Sequence, residues 1–469
     1  MEKYFRLSIL YFLLIISSCS IDNPKEEQNI VNDVSQLNPI KVQRVVVPTT
    51  NSEIIGVVKN QKGTISIGGG RFSMGGQTAT ENTIQIDMRK FNRIISFSKE
   101  QKEITVQAGI RWRELIQFID KYDLSVKIMQ TYANFTVGGS LSVNVHGRYV
   151  GQGPIILSVK SIKILLANGD LIAASPFQNQ EIFYAAIGGY GGIGVITEVT
   201  LSLTENCKVE RKDTVMKISG YNHFFSNTIK NNSDVIFHNA DIYPRDFDEI
   251  RAISYMKTDK ELTIKDRLKP NDGSYVMNRF AIKTVSNSCF GKWLRKDVIN
   301  PLYYSGNVVE WRNYEATYDV AELEPSSREK STYVLQEYFV PIAQFGSFYP
   351  KMIRVLKENK VNVMNISIRH ANRDPGSQMA WAKAEVFAFV IYYKQGVLDA
   401  DKEKVKIWTG QLIDASIVEK GSYYLPYQIY ARKEQFLKAY PNALEFFKLK
   451  KKYDPEYKFR NKLFDAYYN

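Results

Sequence analysis

Apolar and polar positions change rhythm several times along the 469-residue chain. Lys3 and Arg6 precede an apolar run at 7–16, which is followed by small residues and Cys19. The run is too short to cross a bilayer as a permanent helix. A charged start, a short apolar stretch and small residues form the pattern of a secretory signal. Residues 20–36 are polar and rich in Asn, and read as a flexible tether. From residue 41 short β-rich stretches take over, at 44–47 (stopped by Pro48), 63–67, 83–87, 93–98 and 103–108. Helical spacing holds over 52–60 and over 111–122, where Trp112, Leu115, Phe118 and Ile119 share one face. Residues 159–167 and 171–174 flank Asn168-Gly169-Asp170, a hairpin signal. A helix near 181–186 leads to a strand at 195–203.

Beyond Cys207 alternation dominates, with strands expected at 214–218, 235–242, 252–256, 332–340, 361–370 and 386–393. Helices are expected near 349–357 and 401–419. Strands and helices without strict alternation predict an α+β chain, and no internal repeat is evident. With 44% hydrophobic and 24% charged residues the chain reads as folded, and its length favours two domains. The texture shifts near 204–210, the expected boundary. A net charge of +13 suits anionic headgroups or an acidic substrate, and equally a plain solvated surface. A secretion signal and the lack of any nucleic-acid motif argue against nucleic acid as a partner. Cys207 and Cys289 are free to pair in an exported chain or to stay as thiols, and no metal-ligand spacing is present.

The chemistry concentrates in three glycine clusters: residues 68–76, Gly138-Gly139 with Gly147, and residues 188–194. A diphosphate must be met by several backbone N–H groups at once, which requires close main-chain approach and positive φ. One cluster alone would suit a tight turn; three within about 130 residues, with polar residues interleaved, point beyond turns. None is the G-x-G-x-x-G fingerprint opening a helix, and no P-loop is present.

Taken in order, the clusters and their flanks resemble the FAD-binding domain shared by vanillyl-alcohol oxidase, p-cresol methylhydroxylase (PCMH-type) and the sugar-lactone oxidases. The segments are Pro48 with its helix, Ile65-Ser66-Ile67-Gly68-Gly69-Gly70-Arg71-Phe72-Ser73, Ile86-Asp87-Met88, Val106-Gln107-Ala108-Gly109, the run from Thr136 through Gly138, Gly139, Ser142 and His146 to Gly147, and Gly191-Gly192-Ile193-Gly194-Val195-Ile196-Thr197. The resemblance covers about a third of the chain. It implies that Gly68, Gly69, Gly70, Arg71, Phe72 and Ser73 wrap the FAD diphosphate. It places Gly138, Gly139 and Ser142 along flavin and diphosphate, Gly194 and Ile196 at the adenosine half or flavin edge, and His146 and Gly147 near the isoalloxazine. Members that bond FAD covalently carry a histidine about where Arg71 or Phe72 stands, so non-covalent FAD is expected. His146 is the one histidine of this segment and the alternative attachment point.

Two further resemblances extend the picture. Ile16-Ser17-Ser18-Cys19 resembles a bacterial lipobox, implying acylation at Cys19 and an exported lipoprotein held on the periplasmic or outer side of a membrane. Tyr424-Leu425-Pro426-Tyr427, Ala439-Tyr440-Pro441 and Tyr453-Asp454-Pro455 with Phe459 and Asn461 resemble the ends of sugar-lactone oxidases, decaprenylphosphoryl-ribose oxidase and sterol-reductase-like proteins. That likeness implies a tail returning to close the active site. The expected organisation is a signal at 1–18, a lipidated tether at 19–37, an FAD domain at 38–206, a substrate domain on a large antiparallel sheet at 207–420, and the tail at 421–469.

The implied activity is oxidation of a CH–OH group of a sugar lactone, polyol or glycosyl lipid, with hydride passing to flavin N5. The alternatives are a flavoenzyme on a lipid-like or sterol-like substrate, and a flavin-fold binding protein without catalysis. Arg369 resembles the arginine of the alditol and lactone oxidases, though Ser367 stands where those enzymes often carry an acid. His370 is a candidate general base; on one strand Arg369 and His370 face opposite ways, so at most one reaches the flavin. Tyr427 and Lys394 are candidate proton acceptors or substrate contacts.

Overall fold

A computed structural model describes residues 29–468 except 61, 245, 272 and 274. The expected signal, the lipidation residue Cys19 and the first part of the tether lie outside the described residues.

Three sheets carry the fold. The first is parallel, with Ile84–Asp87 between Arg44–Val46 and Ile65–Gly68. The crossover helix Asn51–Asn60 buries Ile54 and Val58 against it. The second is antiparallel in the order Leu171–Ala174, Val159–Leu166, Gly194–Glu205, Glu103–Gln107, Ile94–Ser98, with Leu124–Val126 pairing the far end of the central strand. That central strand is buried along most of its length. The chain changes sheets between Glu205 and Lys208.

The third sheet has eight antiparallel strands in the order Val309–Trp311, Lys208–Lys217, Glu249–Lys257, Val235–Ile242, Asn362–Ala371, Val386–Gly396, Ser331–Pro341, Ser422–Tyr423. One face is dry: Ile218–Phe224, Phe345–Glu358 and Asp399–Val418 pack over it, with Phe345 stacked on Phe389 and Phe225 against Phe387. The other face looks back at the glycine loops. The tail then returns across the first sheet. Ile65 N donates to Lys458 O (2.7 Å), Arg460 N to Ile65 O (2.8 Å), and the buried Lys450 donates to Gly192 O, Phe459 O and Asp454.

Some elements depart from the sequence reading. Residues 29–36, expected within the flexible tether, are packed: Ile30–Val31 pairs with Ile40–Lys41. Asp33 is buried, and its carboxylate accepts from Gly76 N (3.0 Å), Asn38 Nδ2 (2.7 Å) and Ser35 N (2.9 Å). Polar residues here bond the backbone instead of water, an Asx-type use that composition alone does not distinguish from solvation. Burial nevertheless pushes the Asp33 carboxyl above its usual range against those bonds. The strand expected at 214–218 is Lys208–Lys217, its start masked by Glu210 and Arg211. An unanticipated helical excursion occupies 276–304, as Val276–Asn287, Cys289–Leu294, a π-turn at Arg295–Ile299 and Asn300–Tyr304. Cys207 and Cys289 are free thiols.

Candidate functional site

The first glycine loop leaves the strand Ile65–Gly68 and meets the start of the short helix Val137–Ser142. A Cβ on Gly68 would lie 2.3 Å from Gln85 Nε2, and one on Gly69 would lie 2.2 Å from Thr136 Oγ1. Glycine is therefore required here by close approach. The positive φ expected of the glycine clusters is found at Gly76, Gly188 and Gly191, whereas in the first turn of this loop it falls on Arg71, at +61°. A left-handed residue inside such a run turns successive N–H groups toward one concavity, and among the described residues the N–H groups of Phe72 and Ser73 have no acceptor. Thr136 ties the two loops together: its Oγ1 caps the helix by accepting from Gly139 N (3.3 Å) and also accepts from Gly70 N (3.3 Å). Arg71 is held by Asp87 at 3.1 Å. Burial would raise the Asp87 carboxyl, but the Arg89 and Arg71 guanidiniums outweigh it and keep it below its usual range.

These loops floor a cleft with about 1730 Å³ of empty space, its open mouth included. Gly68 through Ser73, Gly138, Gly139, Ser142, His146, Gly194 and Ile196 all line it. Gly147 does not: a Cβ there would lie 2.1 Å from Met129 O, so its own turn demands the glycine. Thr78 Oγ1 and Thr131 Oγ1, both on residues of the lining, and Gln85 Nε2 beside Gly68 are buried with no partner among the described residues. Buried polar atoms of a native fold normally have partners. Orphaned donors around a glycine cradle fit the phosphates, ribose and polar edges of FAD.

The roof comes from the eight-stranded sheet and the tail. Glu337 Oε1 sits 2.6 Å from His146 Nε2, and Tyr427 OH donates to Glu337 Oε2 at 3.3 Å. His146 and Glu337 side chains are each 3% exposed, with Trp381, Phe339 and Tyr424 rings around the imidazole at 4.9, 5.5 and 6.0 Å. Burial, reinforced by Glu337, pushes the Tyr427 hydroxyl well above its ordinary value, so it stays a donor. Glu337 escaped the sequence reading. Its signal was a lone carboxylate in the apolar strand Ser331–Pro341.

Arg369 also lines the cleft, between Tyr132 and Tyr427, and its Nε is buried with no hydrogen-bond partner among the described residues. Burial raises the Tyr132 hydroxyl to about 12 although Arg369 works against it. Ser367 faces Asp241 across the neighbouring strand. His370 is turned to the dry face, its Nε2 2.8 Å from Glu385 and its ring 5.0 Å from Phe225, and it does not reach the cleft. Burial pulls its pKa down despite Glu385. Lys394 pairs with Tyr333 in strand register but lies outside the lining. Among the described residues no group of three or more His, Cys, Asp or Glu side chains could hold a metal ion.

Comparison with known proteins bears on this geometry. Residues 42–175 match a family model described as an FAD binding domain. The chain is 30% identical to L-gulonolactone oxidase of Bos taurus over 149 residues, 32% of this chain and 34% of that protein. It is 33% identical to the mitochondrial L-galactono-1,4-lactone dehydrogenase of Arabidopsis thaliana over 116 residues, 25% and 19% of the two chains. It is 37% identical to cytokinin dehydrogenase 9 of Oryza sativa subsp. japonica over 109 residues, 23% and 21%. The chain thus spans about a third or less of the length of these curated relatives. The shared region carries the first two glycine loops, and FAD is the cofactor it indicates.

Proposed function

We propose that this chain, with an FAD-binding domain at residues 42–175, is an FAD-dependent oxidoreductase that oxidises the CH–OH group of a sugar lactone or polyol in the cleft. The observation that carries the reading is the His146–Glu337–Tyr427 cluster, which sets a buried carboxylate and imidazole on the same cleft as the glycine loops. FAD, when bound, supplies the hydride acceptor; the protein supplies orientation and proton handling. In this reading the His146–Glu337 pair takes the substrate hydroxyl proton, Tyr427 fixes the carboxylate, and the unpaired Arg369 opposes negative charge developing in the cleft. The names of the relatives favour a lactone. A glycosyl-lipid substrate is the second reading, favoured by Val320, Leu323, Pro325 and Leu335 along the outer lining.

The proposal holds FAD non-covalently: both ring nitrogens of His146 are engaged, Nε2 by Glu337 and Nδ1 near Gly147 O at 3.3 Å. It also retains the exported, acylated chain anchored at Cys19, supported by the residue pattern at 1–19. Among the described residues no helix is long and apolar enough to cross a membrane. The test is an absorption spectrum before and after acid precipitation, then turnover on sugar lactones and polyols. Flavin released to the supernatant with lactone-dependent reduction is expected. A colourless protein that takes up no added FAD would sink the proposal. For the anchor, Cys19→Ala should abolish acyl labelling and move the protein out of the membrane fraction; unchanged labelling would exclude Cys19.

A further inference from the structure

We infer that residues 33–38 form a strap that shapes the first glycine loop, and that Asp33 is the positioning residue through which the strap tightens the hold on FAD. The inference rests on the FAD-dependent reading above. It adds a segment that lies upstream of the matched FAD-binding region, which begins at residue 42.

The loop at 68–76 divides into two halves with different tasks. Gly68 through Ser73 line the cleft, whereas Gly75 and Gly76 do not. Those two glycines answer to protein neighbours instead. A Cβ on Gly75 would lie 2.3 Å from Tyr427 O in the tail. One on Gly76 would lie 3.2 Å from Ile40 Cδ1 and 3.4 Å from Asn38 Cβ. Gly76 also holds φ at +74°, so a side chain is disfavoured there twice. The far half of the loop is thus gripped by the tail on one side and by residues 38–40 on the other.

Three hydrogen bonds join strap and loop. Val34 N donates to Arg71 O, Asn38 Nδ2 to Met74 O and Gly76 N to Asp33 Oδ2, each at 3.0 Å. The first of them reaches the cofactor half. Arg71 O and the N–H of Phe72 belong to one planar trans peptide, in which carbonyl and N–H point opposite ways. With the carbonyl tied to Val34, the Phe72 N–H is held away from the strap, and it has no acceptor among the described residues. The strap therefore fixes the direction of a donor in the loop that wraps the diphosphate.

Asp33 locks the strap in place. It is 1% exposed and does not itself line the cleft. Among the described residues its carboxylate accepts from neutral donors alone: Ser35 N, Ser35 Oγ, Asn38 Nδ2 and Gly76 N. A buried carboxylate without a cation is costly to keep, and every donor here belongs to the strap or to the loop. Its loss would leave the Gly76 N–H buried without an acceptor and free the strap from the loop. Thr332 Oγ1, which donates to Ser35 O at 2.9 Å, ties the same strap to the roof of the cleft.

The test titrates FAD into the flavin-free, full-length protein and follows flavin fluorescence, well below the melting temperature of every variant. Asp33→Ala and Asn38→Ala are expected to weaken FAD binding at least about tenfold, the order of leaving a buried polar group unpaired. Lys41→Ser, on the exposed side of the same segment, should bind as the parent does. Thermal melting of the flavin-free proteins separates the two roles open to the strap. If it only braces the fold, the melting temperature falls while the dissociation constant stays where it was, and the inference is overturned. If Asp33→Ala does not fold, Asn38→Ala decides alone. A parent that takes up no FAD overturns the oxidoreductase reading and this inference together, whereas a parent and variants of equal affinity overturn this inference only.

Discussion

Arg369 and His370 are neighbours in sequence, yet they occupy opposite faces of the eight-stranded sheet and meet opposite demands. On the cleft face Arg369, Glu337 and Tyr392 surround open space, and the Arg369 Nε waits without a partner. On the dry face His370 Nε2 is matched by Glu385 while its Nδ1 is buried with no partner among the described residues, and His238 is bonded on both sides, by Tyr221 OH at 3.1 Å and Ser254 Oγ at 2.8 Å. Burial therefore has different consequences. Where polar groups are satisfied by the fold, ionisable residues hold the sheet together. An unsatisfied atom beside the cavity, such as Arg369 Nε, can be met by a ligand, whereas one buried against the dry face, such as His370 Nδ1, cannot.

The comparison breaks most readily at Glu337. If the cleft face does the chemistry, Glu337→Gln should lower turnover by about 10²–10⁴-fold, the range for losing a positioned acid–base group. Bound flavin and melting temperature should change little. The matching change on the dry face, His370→Gln, should leave turnover near the parent value. Equal losses in both would erase the distinction. Arg369→Gln comes next, with turnover expected to fall by about a hundredfold from a lost charge in a low-dielectric site. Its measurement is stopped-flow flavin reduction, and an unaltered rate would show that Arg369 does not face the reacting atoms. Tyr427→Phe should cost less, about tenfold, because Glu337 keeps His146 as a partner; a larger loss than that of Glu337→Gln would make the hydroxyl the principal group.

Much of this was legible along the chain, for identifiable reasons. The glycine loops are local: each segment carries its own requirement for close approach, so Gly68 through Ser73 and Gly138-Gly139 could be read in order. Strand alternation at 361–370 sufficed to set Arg369 against His370. Glu337 was not legible because its partner His146 lies 191 positions away and only the folded sheet joins them. The packing of residues 29–36 was hidden because polar side chains that bond backbone look the same as polar side chains that bond water. The excursion at 276–304 escaped because the π-turn at Arg295–Ile299 and Pro301 disturb the helical period.

The smallest expected effect sharpens the comparison from the dry side. Burial lowers His238 from 6.5 to about 3, with His370 adding a little in the same direction. The unfolded chain therefore takes up a proton near its ordinary value of 6.5 while the folded chain refuses it down to about 3. With the folded value depressed, the contribution is fully present above 6.5 and is lost as pH falls toward 3. The slope is about 1.4 kcal/mol per pH unit, so moving from pH 7 to pH 5 should cost about 2 kcal/mol through this residue. Urea denaturation of the parent and of His238→Gln at both pH values measures it. The variant should lose that part of the pH dependence, whatever its stability at pH 7, and keep the parent's turnover at pH 7. If the pH dependence persisted unchanged, His238 would titrate normally in the fold. If turnover fell with it, the dry face would share in the chemistry that the cleft face is here assigned alone.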